Sequence, residues 1–194
     1  NVPLYAYWKA DNFTVTLYFY KDGVKDDSKT KTYSVQNGAT FNATEHVGDS
    51  SFDNCHYVSV DTASWKVTAD SSTNVYYERN VLKVAYRGNG NDGGSTDGTP
   101  VKYGDTVTIA QNGFTRTGCS FTGWNTAADG SGTSYSAGST FTSQPSGSED
   151  RLTLFAQWSP HVHTVTLNRG TGISAVSGSG SHYYGEDVTI TSTT

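Results

Sequence analysis

Three times the chain opens an alternating apolar run, turns at a glycine and returns. Val15, Val84 and Val165 mark the openings, and Gly38, Gly104 and Gly185 the turns. Closing aromatic runs recur in the same sense around Tyr5, Tyr77 and Phe155. The period of roughly 70 to 80 residues exceeds the 20 to 50 of solenoid repeats, so each unit is expected to be a small domain, not one rung of a stack.

Within each unit the runs are short and alternate with period two. Phe13 to Tyr20, Lys31 to Val35 and Val81 to Tyr86 read as strands, and Lys21-Asp22-Gly23 as a hairpin turn. Between them crowd Thr, Ser, Gly, Asn and Asp, the residues of turns. Apolar residues make up only 34% of the chain, while aromatics reach 13% and thirteen of them are Tyr, as suits thin sheets with half-wetted faces. Helical periodicity is nearly absent; one short helix is expected over 44–53, with Thr44 as its cap.

The best-formed unit centres on Gly118-Cys-Ser-Phe-Thr-Gly-Trp124. Strict alternation sets Phe121, Gly123 and Asn125 on one face and Ser120, Thr122 and Trp124 on the other. Leu152, Leu154, Ala156 and Trp158 are expected to supply an opposing core layer. The structural core is thus expected at Trp124, Gly123, Phe121, Leu154 and Trp158. Burying a Trp contributes more than about 2 kcal/mol, a large share for a small unit.

A formal charge of −5 without Lys or Arg clusters argues against nucleic acid and anionic membrane as partners. No run approaches a membrane-spanning length. The absence of Met and the opening on Asn1 suggest a piece of something longer. Cys55 and Cys119 occupy equivalent places in successive units, too far apart for a bridge, and are expected as free, mostly buried thiols.

Other constellations point away from chemistry. His161 and His163 have strand-like spacing but no carboxylate or Cys beside them, so a solvated linker pair is expected, not a metal site. Asp92 and Asp97, or Asp26 and Asp27, do not form a graded calcium loop and read as turn residues. No nucleophile elbow, metalloprotease or nucleotide-loop motif occurs, so no catalytic residue, cofactor or metal is expected. Tyr18, Tyr20, Tyr33, Tyr57 and Tyr77 form a candidate ligand surface, against the plainer reading of cross-strand tyrosine pairs.

Tyr103-Gly-Asp-Thr-Val107, Phe114-Thr-Arg-Thr-Gly118, Phe121-Thr-Gly-Trp124 and Leu152-Thr-Leu-Phe-Ala-Gln-Trp158 together resemble the internalin B-repeat, or Listeria-Bacteroides repeat, over 81–158. Cys119 stands where that pattern usually has Tyr. Tyr184-Gly-Glu-Asp-Val188 resembles a divergent, half-length copy over 163–194. Val15 to Gly23 and Val75-Tyr-Tyr-Glu78 resemble, more distantly, a mucin-binding-protein repeat over 13–80.

The resemblance implies a mainly β chain, α+β at most: tandem small β-grasp-like domains with mixed or antiparallel sheets and little helix. The expected division is 1–11, the last strand of a preceding repeat; 12–80, a first repeat; 81–159, the B-repeat; and 160–194, the first half of another. Leu4-Tyr5-Ala6-Tyr7-Trp8 repeats the sense of Leu154-Phe155-Ala156-Gln157-Trp158, and this end strand is expected to pair with a sheet, either within its own chain or by completing the half unit of a neighbouring copy.

The function implied is a non-catalytic repeat segment of a bacterial cell-surface protein, a stalk or spacer with a role in adhesion. Its expected partners are neighbouring repeats and a host glycan or glycoprotein. The alternatives are a glycan- or glycoprotein-binding module, or an accessory domain of a secreted hydrolase.

Overall fold

The computed structural model describes residues 2–5, 10–145 and 150–193, which divide into two compact units, 1–80 and 81–194. The first contains strands β1 (Asn12–Lys21), β2 (Val24–Lys25), β3 (Lys31–Gln36), β4 (Thr40–Asn42), β5 (Cys55–Val60), β6 (Ser64–Lys66) and β7 (Ser71–Arg79). Its main sheet runs β2-β1-β7-β5, with β3 also paired to β1. The first and last long strands lie side by side and parallel, Val15 to Lys21 against Ser71 to Tyr77, and the remaining pairings are antiparallel. This is the mixed, grasp-like sheet that the resemblance implies.

Alternation along β1 decides the core. Val15, Leu17 and Phe19 are wholly buried, while Thr14, Thr16, Tyr18 and Tyr20 face outward. Where a grasp fold would lay a helix across the inner face, this unit uses the ribbon of β4 with β6 and short 3-10 turns at Ala43–Glu45 and Val47–Ser50. Phe41, Ala43, Phe52 and Val67 from this cover meet Val75 and Tyr77 of the sheet. The expected helix over 44–53 is therefore corrected to two single turns. Thr44 lies inside the first, after Asn42, whose side chain makes no capping bond, and β-branched Val47 followed by Gly48 disfavours propagation.

The second unit repeats the plan with β8 (Val81–Arg87), β9 (Gly93–Gly94), β10 (Pro100–Lys102), β11 (Thr106–Thr108), β12 (Phe114–Thr115), β13 (Cys119–Asn125), β14 (Ser134–Tyr135), β15 (Thr140–Thr142) and β16 (Arg151–Pro160). The sheet order is β10-β8-β16-β13-β14, again with opening and closing strands parallel in the middle. The β11–β15 ribbon sets Val107 opposite Phe141 as β4–β6 sets Phe41 opposite Trp65. Leu82, Val84, Trp124, Leu154 and Ala156 form the sheet side of the core, and Tyr103, Val107 and Ile109 the cover.

Register ties the two sheets together residue by residue. Cys55 opens β5 opposite Arg79, and Cys119 opens β13 opposite Pro160. Both ladders slip three residues later, between Tyr57 and Ser59 and between Phe121 and Gly123. Tyr77 therefore corresponds to Trp158, not to Phe155 as the sequence pattern alone suggests, and Val60 corresponds to Trp124.

The remainder of the second unit is a half copy. It has β17 (Val162–Val165), β18 (Ala175–Ser177), β19 (Gly180–Tyr183) and β20 (Thr191–Thr193), paired as two small antiparallel ribbons, β17 with β19 and β18 with β20. Val162 faces Tyr183 in the register in which Val81 faces Lys102, and Gly185 turns at φ 80° where Gly38 and Gly104 turn at 80° and 89°. At the other end, where the last strand of a preceding repeat is expected over 1–11, residues 2–5 are exposed and not in a strand; residues 1 and 6–9 lie outside the described residues.

Candidate functional site

The bulge in β13 is what assembles the Gly-Trp signature. One extra residue in a strand resets its alternation, so Phe121 and Trp124 both turn inward, with ring centroids 5.0 Å apart. This overturns the expectation that they occupy opposite faces. Gly123 adopts φ 151°, a region that residues with a Cβ rarely enter, and an added Cβ would sit 3.2 Å from the Tyr135 carbonyl.

Trp124 is fully buried against Tyr86 and Phe114, at 4.6 and 6.2 Å. Its indole N–H donates to the Ala110 carbonyl at 3.0 Å, and the Ala110 N–H donates to the Tyr86 hydroxyl at 2.8 Å, so one cover residue is tied to the sheet twice. Leu154 and Ala156 are fully buried, but they belong to the strand next to Trp124, not to an opposing layer: Ala156 is its direct cross-strand partner. Trp158 packs edge-on to Phe121 at 5.9 Å and donates to the Gly88 carbonyl at 2.8 Å. Tyr57 and Tyr77 make the equivalent edge contact at 6.1 Å.

Asn125 was not singled out by sequence reasoning and is 1% exposed. Its amide donates to the carbonyls of Gly130 and Gly132 and to the Ser134 hydroxyl, and its Oδ1 accepts the N–H groups of Ala127 and Gly132. One side chain thus orders the loop that precedes β14. Its position directly after the Trp, before a loop rich in small residues, is the available signal.

The five candidate ligand-surface tyrosines do not form one surface. Tyr33 sits inward against Phe41 and His46, and its hydroxyl donates to Asp49 at 2.5 Å; burial chiefly, and then that carboxylate, push its ionisation upward. Tyr77 is core, with its hydroxyl donating to the Val47 carbonyl, and Tyr57 lies over it on the same side. Tyr18 and Tyr20 face outward. Tyr20 pairs with Tyr76 at 5.2 Å, Tyr76 and Asn74 both donate to Asp61, and the Lys25 ammonium lies 4.1 Å from the Tyr18 ring centroid. The outward patch is therefore Tyr18, Tyr20 and Tyr76.

The remaining candidates act in turns and joints. Asp92 accepts from the Thr117 N–H and from the Thr115 and Thr117 hydroxyls, which hold its carboxyl below the ordinary value, Thr117 contributing most. Asp26 caps a turn through Ser28, and Asp27 pairs with Lys25. Among the described residues no group of three or more His, Cys, Asp or Glu is arranged to hold a metal. Cys55 and Cys119 are free and half-buried, and burial chiefly raises the Cys55 thiol.

His161 is more than a linker in water. Its N–H donates to the Gly118 carbonyl at 2.7 Å, its carbonyl accepts from the Tyr184 N–H at 2.8 Å, and its ring nitrogen Nε2 meets the Ser120 hydroxyl at 3.0 Å. Gly118, at φ 69°, leaves room for Tyr184: an added Cβ would lie 1.9 Å from that ring. The half copy is thereby seated on the turn that opens β13.

Residues 83–157 match the Listeria-Bacteroides repeat domain. The match covers the second sheet and its cover. The chain is also similar to a protein of Evansella cellulosilytica described as a "Putative membrane protein", 30% identical over 183 residues, which are 88% of this chain and 26% of that relative. A second protein of that organism, a "Putative Gly-rich membrane protein", is 35% identical over 111 residues, 55% of this chain and 12% of the relative. The chain thus spans about a quarter of the length of the first relative and about an eighth of the second. Among the described residues no helix is long and apolar enough to cross a membrane.

Proposed function

We propose that this chain is a non-catalytic, force-bearing spacer from the outer face of a bacterial cell, carrying an adhesive region away from the surface. The observation that carries this reading is the parallel pairing of opening and closing strands in both complete sheets. Parallel neighbours leave their sheet at opposite ends. Tension applied through the unit's ends therefore loads the shared ladder in shear, and its hydrogen bonds must yield together. Antiparallel neighbours pulled from adjacent ends would open one bond at a time.

Connector length supports the same reading. Asn80 alone separates β7 from β8, and His161 alone separates β16 from β17, with its backbone bonded on both sides. Short connectors store little slack. The match to a repeat domain and the descriptions of the two relatives support a surface setting. Protease shaving of intact cells tests the location: peptides from 81–160 in the released fraction are expected, and their restriction to lysed cells would refute it.

The outward patch favours a second reading, in which the first unit binds a host glycan or glycoprotein. Two tyrosine rings 5.2 Å apart beside Asp61 and Asn74 offer a stacking face with hydrogen-bonding groups at its edge. Glycan-array binding by the whole chain, lost in Tyr20→Ala and Tyr76→Ala, is the expected result. An array with no hits leaves the spacer alone.

A further inference from the structure

One groove of the second unit lies outside the Gly-Trp core and the seat of the half copy. It has a volume of about 390 Å³ and is lined by Lys83 and Arg87 of β8, by Arg151 of β16, and by Thr96, Asp97 and Gly98 ahead of β10. Val84 and Tyr86 turn into the core, so Lys83, Ala85 and Arg87 turn outward. The sequence holds no run of Lys or Arg, and register alone gathers these cations. Arg151 is the direct partner of Lys83 in the parallel ladder. Arg87 lies four residues further along β8, about 13 Å away on the same face.

The cluster runs against the charge of the chain, which is −5 overall. Among the described residues none of the three cations has an ion pair or a side-chain hydrogen bond. The adjacent Asp150 carboxylate accepts from the Tyr103 hydroxyl instead. Like charges side by side on a sheet are destabilising, so the Lys83 and Arg151 pair is a cost that a shared anion would remove. The facing wall supplies different groups. Asp97 lines the groove and likewise has no partner among the described residues. Thr96 accepts the Gly113 N–H at 2.9 Å through its hydroxyl oxygen, which leaves the hydroxyl hydrogen to donate. Gly98 packs so closely on β8 that an added Cβ would sit 1.6 Å from the Val84 carbonyl. The wall is thus pinned to the sheet, and the small side of Ala85 and Gly98 leaves the space between the walls.

We propose that this groove binds a sugar acid, with the ligand carboxylate between Lys83 and Arg151 and its hydroxyls donating to Asp97. The volume falls within the roughly 300–1,000 Å³ of small-ligand sites. The cations call for an anion, and the unpartnered Asp97 calls for hydrogen-bond donors. Inorganic sulfate answers only the first need and is repelled by Asp97. A neutral sugar answers only the second. Arg87, at the far end of the groove, is placed for the acid group of a second residue where the ligand is an acidic polysaccharide.

The test is an amide NMR titration of the whole chain with galacturonate, its neutral methyl ester, inorganic sulfate and glutamate. Galacturonate is expected to give saturable shifts at the Ala85, Gly98 and Arg151 amides, with a Kd of about 1–10 mM for so open a site, and the other three to bind at least about tenfold more weakly. Lys83→Gln and Arg151→Gln are each expected to weaken galacturonate about three- to tenfold. Asp97→Asn is expected to weaken galacturonate but strengthen sulfate, an inversion that a simple anion site would not show. All three side chains are exposed, so the substitutions spare the core, and unchanged shifts elsewhere check this. Tighter binding of trigalacturonate, lost in Arg87→Gln, would assign the ligand to a polysaccharide chain, and equal binding to a free sugar acid. No saturation by about 50 mM, an equal response to the ester, sulfate or glutamate, or an affinity unchanged in Lys83→Gln and Arg151→Gln would each overturn the proposal.

Discussion

Replacing Trp124 by Ala probes the repeat at the point where most of its core converges. The indole is fully buried among Tyr86, Phe114 and Phe121, so the substitution forfeits its transfer energy and leaves a cavity, together about 3–5 kcal/mol. The Ala110 carbonyl also loses its donor, adding about 1 kcal/mol. A unit of roughly 80 residues holds about 4–12 kcal/mol in all, so the variant should be marginal or unfolded in this region. Trp124→Phe keeps a ring in place but cannot donate to Ala110, and should cost about 1–2 kcal/mol. Urea unfolding followed by far-ultraviolet dichroism and by the fluorescence of the remaining tryptophans, with Trp8→Phe and Trp65→Phe as background to isolate Trp158, measures both. A loss below about 1.5 kcal/mol for Trp124→Ala would show that the core does not depend on this ring, and the packing argument would fail.

Further outcomes follow from individual contacts. Asn125→Ala removes five hydrogen bonds and leaves two glycine carbonyls without their donor; a cost of about 2–4 kcal/mol and selective proteolysis within 126–133 are expected, whereas unchanged protease resistance would count against its ordering role. Asp92 is held below its ordinary value of 3.8, so its contribution is complete above that pH and is lost as pH falls through the lower, folded value. The protection of the Thr117 amide, its exchange rate compared with the intrinsic rate at the same pH, should therefore fall on acidification below 3.8 in the native chain; an amide equally protected at every acid pH would contradict the assignment. Gly118→Ala places a Cβ 1.9 Å from the Tyr184 ring and should speed exchange at the His161 and Tyr184 amides while leaving the β13–β16 ladder protected.

Much of this architecture was legible in the sequence because it rests on local rules. Alternation in Phe13 to Tyr20 and in Val81 to Tyr86 gives the central strands, and the glycine after each returning strand marks the same turn three times. The division at Asn80 and the mainly β class follow from those signals. What escaped depends on a single inserted residue. Strict alternation separates Phe121 from Trp124, and only the bulge between Phe121 and Gly123 brings both rings inward. Equating Tyr77 with Phe155 fails for a related reason, since aromatic residues recur on both faces of the closing strands and only the ladder register tells them apart.

The tyrosine surface was legible only by half. Tyrosine suits a core with one polar partner as well as a wet face, so nothing local separates Tyr33 and Tyr77, whose hydroxyls reach Asp49 and the Val47 carbonyl, from Tyr18 and Tyr20. The seat of Tyr184 on Gly118 joins residues 66 positions apart in sequence and has no short-range signature.

Single-molecule force spectroscopy on the second sheet tests the spacer reading most directly, by pulling the same unit in two directions. Handles at residues 81 and 160 load the β8–β16 ladder in shear; handles at 81 and 102 peel apart the antiparallel β8–β10 pair at adjacent ends. The expected result is a clearly higher rupture force end to end, with a gain in length of roughly 250 Å as about 80 residues extend at about 3.3–3.6 Å each from a compact start. Equal, low forces in both directions would contradict a force-bearing role.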